Sequence, residues 1–188
     1  MSHALPPWPS TPPTHGRVAL RAVDDRDVAL ARELSLDPYV PLVGSLPARA
    51  DEAEALGWVR RQQKRHEEGV GFSFAVDDVD TGATVGHCGL WLAELANGRA
   101  TAGYAVVASA RGKGYAADAL AALTEFGWTI PELFRIALYI EPWNTASRLT
   151  AERVGYEREG LLRSHQLIGD RRRDMILYSS IRGTKDEG

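Results

Sequence analysis

A six-residue segment, Arg-Gly-Lys-Gly-Tyr-Ala at positions 111–116, combines two glycines with two basic side chains at the predicted junction of a strand and a helix. The first N–H groups of a helix lack intrahelical partners, and the helix dipole places positive potential beside them. Gly112 and Gly114 let a bulky anion approach this backbone, and Arg111 and Lys113 add charge. The segment is a candidate pyrophosphate site, although glycine pairs are also common in ordinary strand-to-helix turns.

Two nucleotide-binding motifs overlap this segment, and neither fits its surroundings. Gly112, Gly114 and Ala117 satisfy a loose G-x-G-x-x-A dinucleotide fingerprint, which needs a parallel strand-helix-strand unit and an acidic residue about 20 positions later. Here the preceding strands are predicted to be antiparallel, and the nearest strand-end acid, Glu141, comes late. A Walker loop is excluded because glycine, not serine or threonine, follows Lys113. A dinucleotide oxidoreductase is therefore the least favoured alternative.

A second polar group, Asn-Thr-Ala-Ser at positions 144–147, opens the next predicted helix. Asparagine and serine are favoured at helix starts, so capping accounts for each of them without a ligand. If both helices begin on the same side of the sheet, Asn144 and Ser147 also lie close to whatever the glycine segment binds. The two segments are then parts of one candidate site.

Hydrophobic periodicity and turn residues predict the elements that position these segments. Predicted strands cover 17–23, 71–77, 83–92, 99–108, 134–141, 156–168 and 172–181. Predicted helices run from the aspartates at 24–25 to about 36, from about 51 to 69, onward from 114, and over 144–154, with a structured loop at 39–47. The three consecutive strands between 71 and 108 indicate an antiparallel meander. The element order indicates an α+β domain around a mixed sheet.

Length and composition limit the function. At 188 residues, with 44% hydrophobic and 25% charged residues, the chain is expected to form one globular domain, and no apolar run approaches the roughly 18 residues of a membrane span. A net charge of −3 provides no field to attract nucleic acid or anionic lipid. The single cysteine, Cys88, excludes an intrachain disulfide and favours a reducing compartment. With no secretory pattern at the amino terminus, the expected location is the cytoplasm.

Five of the ten prolines fall within the first fourteen residues, a density that prevents regular helix or sheet. We predict a proline-rich flexible leader over 1–15, loose or docked on the surface, with a proline-rich recognition ligand as the alternative. A single domain is predicted over 16–183 and a charged tail over 184–188.

The two segments together resemble the GCN5-related N-acetyltransferase (GNAT) superfamily, and within it the ribosomal-protein alanine acetyltransferase type. The acetyl-CoA signature of the superfamily is Arg or Gln, two residues, Gly, one residue, and Gly or Ala, which Arg111, Gly114 and Ala116 match. The second segment of that type is matched in register by Asn144, Ser147, Glu152-Arg153, Gly155-Tyr156 and Glu159-Gly160. The resemblance covers about residues 16–182.

The resemblance implies a mixed, mainly antiparallel seven-stranded sheet flanked by four helices, with a splayed central cleft. It implies acetyl-CoA as co-substrate and no metal, with the pyrophosphate on the glycine segment, the pantetheine arm along strand 99–108, and Asn144 hydrogen-bonded to that arm. The acetyl-CoA-binding residues that it implies are Val106, Val107, Arg111, Gly112, Lys113, Gly114, Tyr115, Ala116 and Asn144.

The chemistry implied by the resemblance is direct transfer of an acetyl group to a primary amine, with a backbone N–H of strand 99–108 stabilising the oxyanion. Many members protonate the departing thiolate from a tyrosine seven residues after the asparagine, but here that position is Ala151. Ser147 is therefore the candidate acid, with Asn144 as the second catalytic candidate.

The general base is not identified by the sequence. Many relatives carry a glutamate two residues before the Gly-Tyr of this strand, where the chain has Thr101 before Gly103-Tyr104. Glu94 and Glu141 are candidate substitutes, each expected to be solvated or structural.

The acceptor stays open between a protein amino terminus and a small amine. The loop at 38–47 and the turn at 169–170 are expected to shape its pocket, and neither is strongly acidic, which disfavours a polycation. A non-catalytic acyl-CoA-binding module of the same fold is the alternative function. A homodimer is left open.

Several other reactive or aromatic residues are expected to be structural. Cys88 is predicted to be a small buried hydrophobe, and His87 and His165 have no metal-ligand spacing. Trp91 and Tyr139 are predicted to fill the core, and Trp143 is left open between core and acceptor pocket.

Overall fold

The computed structural model describes residues 5–183, in which one eight-stranded sheet has helices on both faces. The strands are β1 (Thr14–His15), β2 (Val18–Ala22), β3 (Gly71–Asp78), β4 (Thr84–Trp91), β5 (Arg99–Val106), β6 (Arg135–Ile140), β7 (Glu157–Ile168) and β8 (Arg171–Ile181). The α-helices are α1 (Val28–Ser35), α2 (Val40–Val43), α3 (Glu52–Lys64), α4 (Tyr115–Gly127) and α5 (Thr145–Arg153). Short 3-10 turns lie at Asp25–Asp27, Leu95–Asn97 and Ala108–Ala110.

The sheet order is β1-β2-β3-β4-β5-β6-β8-β7, and among the described strands only the β5–β6 pair is parallel. The predicted meander is β3-β4-β5. The expected mixed, mainly antiparallel α+β architecture is confirmed.

Local sequence explains the helix boundaries. Asp24 caps the 3-10 turn before α1, and Asp51 caps α3 through a reciprocal capping box with Glu54. The helix α5 ends before Gly155, whose φ of 89° lies in the left-handed region that glycine tolerates best. These signals are local, which is why the sequence alone places them.

Helices pack on opposite faces of the sheet. On one face, the Trp58 ring of α3 lies 5.0 Å from His87 of β4. On the other face, Phe126 of α4 meets Phe72 and Phe74 of β3 edge to face at 4.8 and 5.4 Å. The cleft described below opens between these two layers.

Two element counts differ from the prediction. Residues 5–183 contain eight strands rather than seven, because Thr14–His15 adds a two-residue strand that is too short to show alternation. The same residues contain five α-helices rather than four, because Val40–Val43 in the predicted loop forms a single helical turn with proline near its start.

The part of the proline-rich leader that the structure describes lies against the α4 face. The Trp8 ring contacts Phe72 and Phe74 at 5.4 and 5.0 Å, and the Pro6 carbonyl lies 2.7 Å from Nε2 of His66. This part is therefore docked on the sheet. The charged tail at 184–188 lies outside the described residues, and the predicted domain boundaries stay predictions.

Within residues 5–183, none of the helices has the length and apolar composition needed to cross a membrane.

Candidate functional site

The strands β5 and β6 separate after a short contact. Their parallel ladder joins Arg99–Thr101 to Arg135–Ala137 and goes no further. On its other edge β5 stays paired with β4, and the Val107 N–H donates to the Val85 carbonyl at 3.0 Å. Because hydrogen-bonded pairs alternate along an antiparallel ladder, the backbone groups of Tyr104 and Val106 point away from β4 into the gap. The gap is the splayed cleft that the resemblance implies.

The two valines predicted to bind a ligand differ in availability. The Val107 N–H is taken by Val85, and its carbonyl accepts from the Ala110 N–H at 3.0 Å. The Val106 backbone lies on the open edge, where its carbonyl accepts from Nε of Arg111 at 3.0 Å. Only Val106 of the pair can therefore offer a free N–H to the cleft.

The glycine segment lies at the start of α4. Gly112 and Gly114 have φ of 76° and 89°, and a Cβ built on either would meet no atom within 4 Å. Gly114 is the N-cap and provides no side-chain cap. Within the described residues, no hydrogen-bond acceptor is found for the N–H groups of residues 112–116. Unpaired donors beside open space at a helix start form a cradle for an anion.

Arg111 anchors this cradle. Its Nη2 donates to Oδ2 of Asp37 at 2.6 Å. Burial opposes ionisation of Asp37, but hydrogen bonds from the Val40 N–H and from Arg111 outweigh it and lower the pKa of that carboxyl. The guanidinium charge is thus partly neutralised, and Arg111 fixes the segment against the end of α1.

The side chain of Tyr115 is already paired with other residues, so only its backbone N–H faces the helix start. The hydroxyl donates to the buried carboxylate of Asp78 and lies 3.1 Å from Nη2 of Arg17. This hydrogen bond, with help from the N–H groups that follow Asp78, lowers the pKa of Asp78. Lys113 is exposed.

The start of α5 is capped by its own side chain. Oδ1 of Asn144 accepts from the Ser147 N–H at 3.1 Å, so capping is confirmed as a role of Asn144. The Tyr104 hydroxyl donates to the Ser147 carbonyl at 3.3 Å. Ala151 is fully buried. The Ser147 hydroxyl interacts with the Tyr104 hydroxyl, and the Asn144 amide nitrogen is not used by the cap.

A cavity of about 360 Å³ extends from Asn144 and Ser147 through the gap onto the α3 face of the sheet. The loop that contains α2 lines it, as predicted for 38–47, whereas the turn at 169–170 does not. Its aromatic walls are Tyr39, Trp58, Trp91, Tyr104 and Tyr139. No Asp or Glu within residues 5–183 lines it.

His87 is the one imidazole among the lining residues. The Ser73 hydroxyl donates to Oε1 of Gln62 at 3.0 Å, so Nε2 of His87, 2.7 Å from the same hydroxyl, is the donor and Nδ1 carries the lone pair. Burial, followed by the charge of Arg65, lowers the pKa of His87 to about 4. The imidazole is therefore neutral at pH 7.

Neither of the two carboxylates considered as bases lines this cavity, although Glu141 lies directly behind one of its walls, Tyr39. Glu94 pairs with Arg99 at 2.8 Å on the surface. Glu141 is buried beside the Tyr39 hydroxyl, 3.7 Å from Nε of Arg173. Neither lines the cavity, so both expectations of a structural or solvated role fit their positions.

Two aromatic predictions are wrong. Trp91 and Tyr139 line the cavity instead of filling the core, and Tyr139 is 36% exposed and stacks on His165 at 4.9 Å. Alternation along the strands correctly predicts which face of the sheet these two side chains occupy, but part of that face borders the cavity. Trp143, left open, is exposed and meets Tyr39 edge to face at 5.0 Å.

Cys88 is fully buried, as predicted, and burial raises the pKa of its thiol. Within residues 5–183, no group of three or more His, Cys, Asp or Glu side chains is arranged to hold a metal ion.

The sequence analysis missed Gln62, Arg65 and Ser73. Trp58 and Gln62 lie four residues apart on one face of α3, and Arg65 follows three residues later as its C-cap, so this spacing is visible in the sequence. What was absent was any indication that this face meets β4 across a cavity.

A family model described as an acetyltransferase (GNAT) domain matches residues 17–157. The chain is 28% identical over 166 residues to an uncharacterized N-acetyltransferase, p20, from Bacillus licheniformis, covering 88% of this chain and 93% of that protein. It is 33% identical over 142 residues to the uncharacterized protein YkkB of Bacillus subtilis (strain 168), covering 74% and 81% respectively. The solved structure of Mycobacterium smegmatis RimJ in complex with CoA-disulfide matches at a TM-score of 0.79 and 26% identity, covering 94% of this chain and 91% of that one.

Proposed function

The chain belongs to the GNAT family of acetyltransferases, and we propose that it moves an acetyl group from acetyl-CoA directly to a primary amine. One observation carries the proposal: the unpaired N–H groups of residues 112–116 lie at the start of α4, beside a gap between β5 and β6 that exposes further backbone. A ligand with a pyrophosphate and a long amide-bearing arm suits both features.

The chemistry of the donors supports acetyl-CoA as the ligand. In this proposal the N–H groups of Gly112, Lys113, Gly114, Tyr115 and Ala116 hold the pyrophosphate, while Arg111 braces the segment. The open edge at Tyr104 and Val106 takes the amide groups of the arm, as an added strand does. The Asn144 amide nitrogen donates to the same arm. Val107, whose backbone groups are already paired, contributes only to the sheet.

When bound, acetyl-CoA supplies an activated acetyl group as a thioester. The open edge of β5 then positions a backbone N–H against the carbonyl oxygen that becomes negative. The Ser147 hydroxyl donates a proton towards the leaving sulfur, directly or through water. The Tyr104 hydroxyl, protonated because burial raises its pKa, holds the Ser147 carbonyl and so the first turn of α5.

The proton of the attacking amine needs an acceptor, and no carboxylate among the described residues lines the cavity. We assign this role to water in the cavity, because the His87 imidazole, with its pKa lowered to about 4, is too weak a base to hold the proton. The acceptor itself is a protein amino terminus or a small amine. The single cysteine favours a reducing cytoplasm as the place of the reaction.

Labelled acetyl transfer tests this function. Purified protein is incubated with acetyl-CoA carrying an isotopic label in the acetyl group, together with cell lysate, and labelled amides are identified. The variant Gly114→Glu places a carboxylate in the cradle, so labelling and CoA binding should both be lost. The matched control is Gly155→Glu, because Gly155 has the same φ of 89° and equally open surroundings at the far end of α5.

The control should label as the wild type does, and calorimetric titration with CoA should separate the two variants. Equal labelling by Gly114→Glu and the wild type would contradict the assignment of the cradle. Tight CoA binding without transfer to any acceptor would contradict the proposed reaction.

A further inference from the structure

The cavity on the α3 face carries an unusual charge for an amine site. A site that binds a protonated or polycationic amine needs carboxylates to offset its desolvation. Among the residues that the structure describes, no Asp or Glu lines this cavity, and Arg65 is the one formally charged side chain that does. His87, the other ionisable base there, is neutral. The cavity therefore disfavours an additional positive charge. Its own positive charge, on Arg65, calls for an anionic partner.

Arg65 has no strong partner of its own. Its Nε lies 3.4 Å from Oε1 of Gln62, and among the described residues it forms no ion pair with a carboxylate. The guanidinium is half-buried over the Trp91 ring, 4.9 Å from its centroid. A guanidinium above an aromatic ring still has N–H groups directed away from the ring, and these can bind a carboxylate with two hydrogen bonds.

Trp91 connects this group to the reaction centre. A Cβ at Gly89 would lie 2.5 Å from the ring, so glycine is what allows the indole to lie on the sheet. A Cβ at Gly103 would lie 3.9 Å from the indole nitrogen, which places the ring beside β5. The indole therefore spans the distance between Arg65 and the strand that borders the gap.

The remaining walls are aromatic and the volume is limited. About 360 Å³ lies at the lower end of the range of roughly 300–1,000 Å³ that is typical of small-molecule sites. Tyr39, Trp58 and Tyr139 offer flat apolar surface, which suits a planar side chain better than a flexible polar one.

We infer that the acceptor is a small amine that carries a carboxylate and an aromatic or apolar side chain, as an aromatic α-amino acid does. Its carboxylate binds Arg65, its side chain lies among the aromatic walls, and its neutral amino group points into the gap. The inference rests on the proposed function, because it assigns this cavity to the acceptor of acetyl transfer. In the transfer the amine nitrogen bonds to the acetyl carbon, the carbon–sulfur bond breaks, and the amine's proton is balanced by the one added to the leaving thiolate.

Matched acceptor pairs test it with the full-length protein. Tryptophan is compared with tryptamine, and tyrosine with tyramine, since each pair differs only in the carboxylate. Spermidine and a peptide amide with a free amino terminus are included. Release of free CoA gives kcat/KM, and calorimetric titration of the CoA-saturated protein gives the Kd of each acceptor without requiring turnover. The variant Arg65→Gln removes the cation, and Arg60→Gln makes the same change on the exposed face of the same helix.

We expect each amino acid to bind at least about tenfold more tightly than its decarboxylated partner, with Arg65→Gln removing the difference and Arg60→Gln preserving it. The ratio within a pair, compared between wild type and variant, cancels the different basicities of the amines. Equal binding within the pairs, an unchanged ratio in Arg65→Gln, or preference for spermidine or the peptide amide would overturn the inference. Preferred acetyl transfer to spermidine or to the peptide amide would overturn this inference but leave the proposed function intact. Failure of the wild-type protein to bind CoA would instead overturn the proposed function.

Discussion

The two sides of the cleft use different parts of the chain. At residues 112–116 the proposed binding groups are backbone N–H donors, which have no acceptor among the described residues and lie beside two glycines of positive φ. On the α3 face the polar side chains are bonded to one another, with Ser73 joining Gln62 to His87. Backbone donors depend on conformation and tolerate most side-chain changes, whereas a side-chain network changes with each substitution. Acetyl-CoA binding should therefore depend on few residues and acceptor choice on many.

Ser147 lies where the two sides meet, and its replacement should have the largest effect. Ser147→Ala removes the hydroxyl but leaves the backbone N–H that Asn144 caps, so folding is preserved. We expect kcat to fall about a hundredfold with little change in the KM for acetyl-CoA. Thr145→Ala, an exposed hydroxyl deletion in the same turn, is the control and should be silent. A raised KM with normal kcat would show that Ser147 binds rather than reacts.

The side-chain network on the α3 face should be detectable as pH-dependent stability. Burial lowers the pKa of His87 to about 4 from its ordinary value of 6.5, so the unfolded chain takes up this proton before the folded chain does. The stability present above pH 6.5 is then lost as pH falls towards 4, by about 2 kcal/mol between about pH 7 and pH 5. Urea unfolding of the wild type and His87→Gln measures this loss, which should be smaller in the variant. If the free energy of unfolding fell equally with pH in the wild type and in His87→Gln, His87 would not be held neutral in the folded protein.

Two substitutions of Asn144 distinguish its capping role from its proposed role in ligand binding. Asn144→Ala removes the cap of the Ser147 N–H and should lower the free energy of unfolding by about 1 kcal/mol. Asn144→Asp keeps an acceptor for the cap but loses the amide donor, so stability should be retained while CoA binds about tenfold more weakly. Thermal melts and calorimetric titration measure the two quantities. Equal CoA affinity in Asn144→Asp would leave Asn144 with a capping role alone.

The smallest effect should come from the charged side chain nearest the cradle. Lys113 is exposed, and its charge is screened at physiological salt. If the segment binds through its backbone, Lys113→Ala should weaken CoA binding by less than about threefold. A tenfold loss measured by calorimetry would show that side-chain charge, not backbone, dominates this side of the cleft.

The elements and the glycine segment follow from the sequence because their determinants are local. Caps at Asp24 and Asp51, alternation along β3 to β5, and glycine at 112, 114 and 155 each act within a few residues. The mixed, mainly antiparallel sheet with its splayed cleft then follows from the resemblance. The sequence does not predict the two-residue strand β1 or the single turn α2, because neither is long enough to show hydrophobic periodicity.

The acceptor cavity could not be predicted in the same way. Its walls come from α1, α2, α3, α5, β4, β5, β6, β7 and β8, many of which are distant in sequence. Trp91 and Tyr139 show the reason most clearly: alternation correctly assigns them to a face of the sheet, but only the tertiary structure reveals that this face borders a space rather than a packed helix. Whether Arg65 is paired is likewise a tertiary property.

The short β5–β6 contact has a consequence for stability. Three residues on each strand, Arg99–Thr101 and Arg135–Ala137, join the half of the sheet formed by β1 to β5 to the half formed by β6 to β8. A ligand that binds in the gap between β5 and β6 would replace the hydrogen bonds that the two strands do not form with each other. Such a ligand would stabilise the sheet as well as react. At a hundredfold excess over its Kd, such a ligand adds about 2.7 kcal/mol to the free energy of unfolding. The lifetime of the folded chain would then track the supply of acetyl-CoA around it.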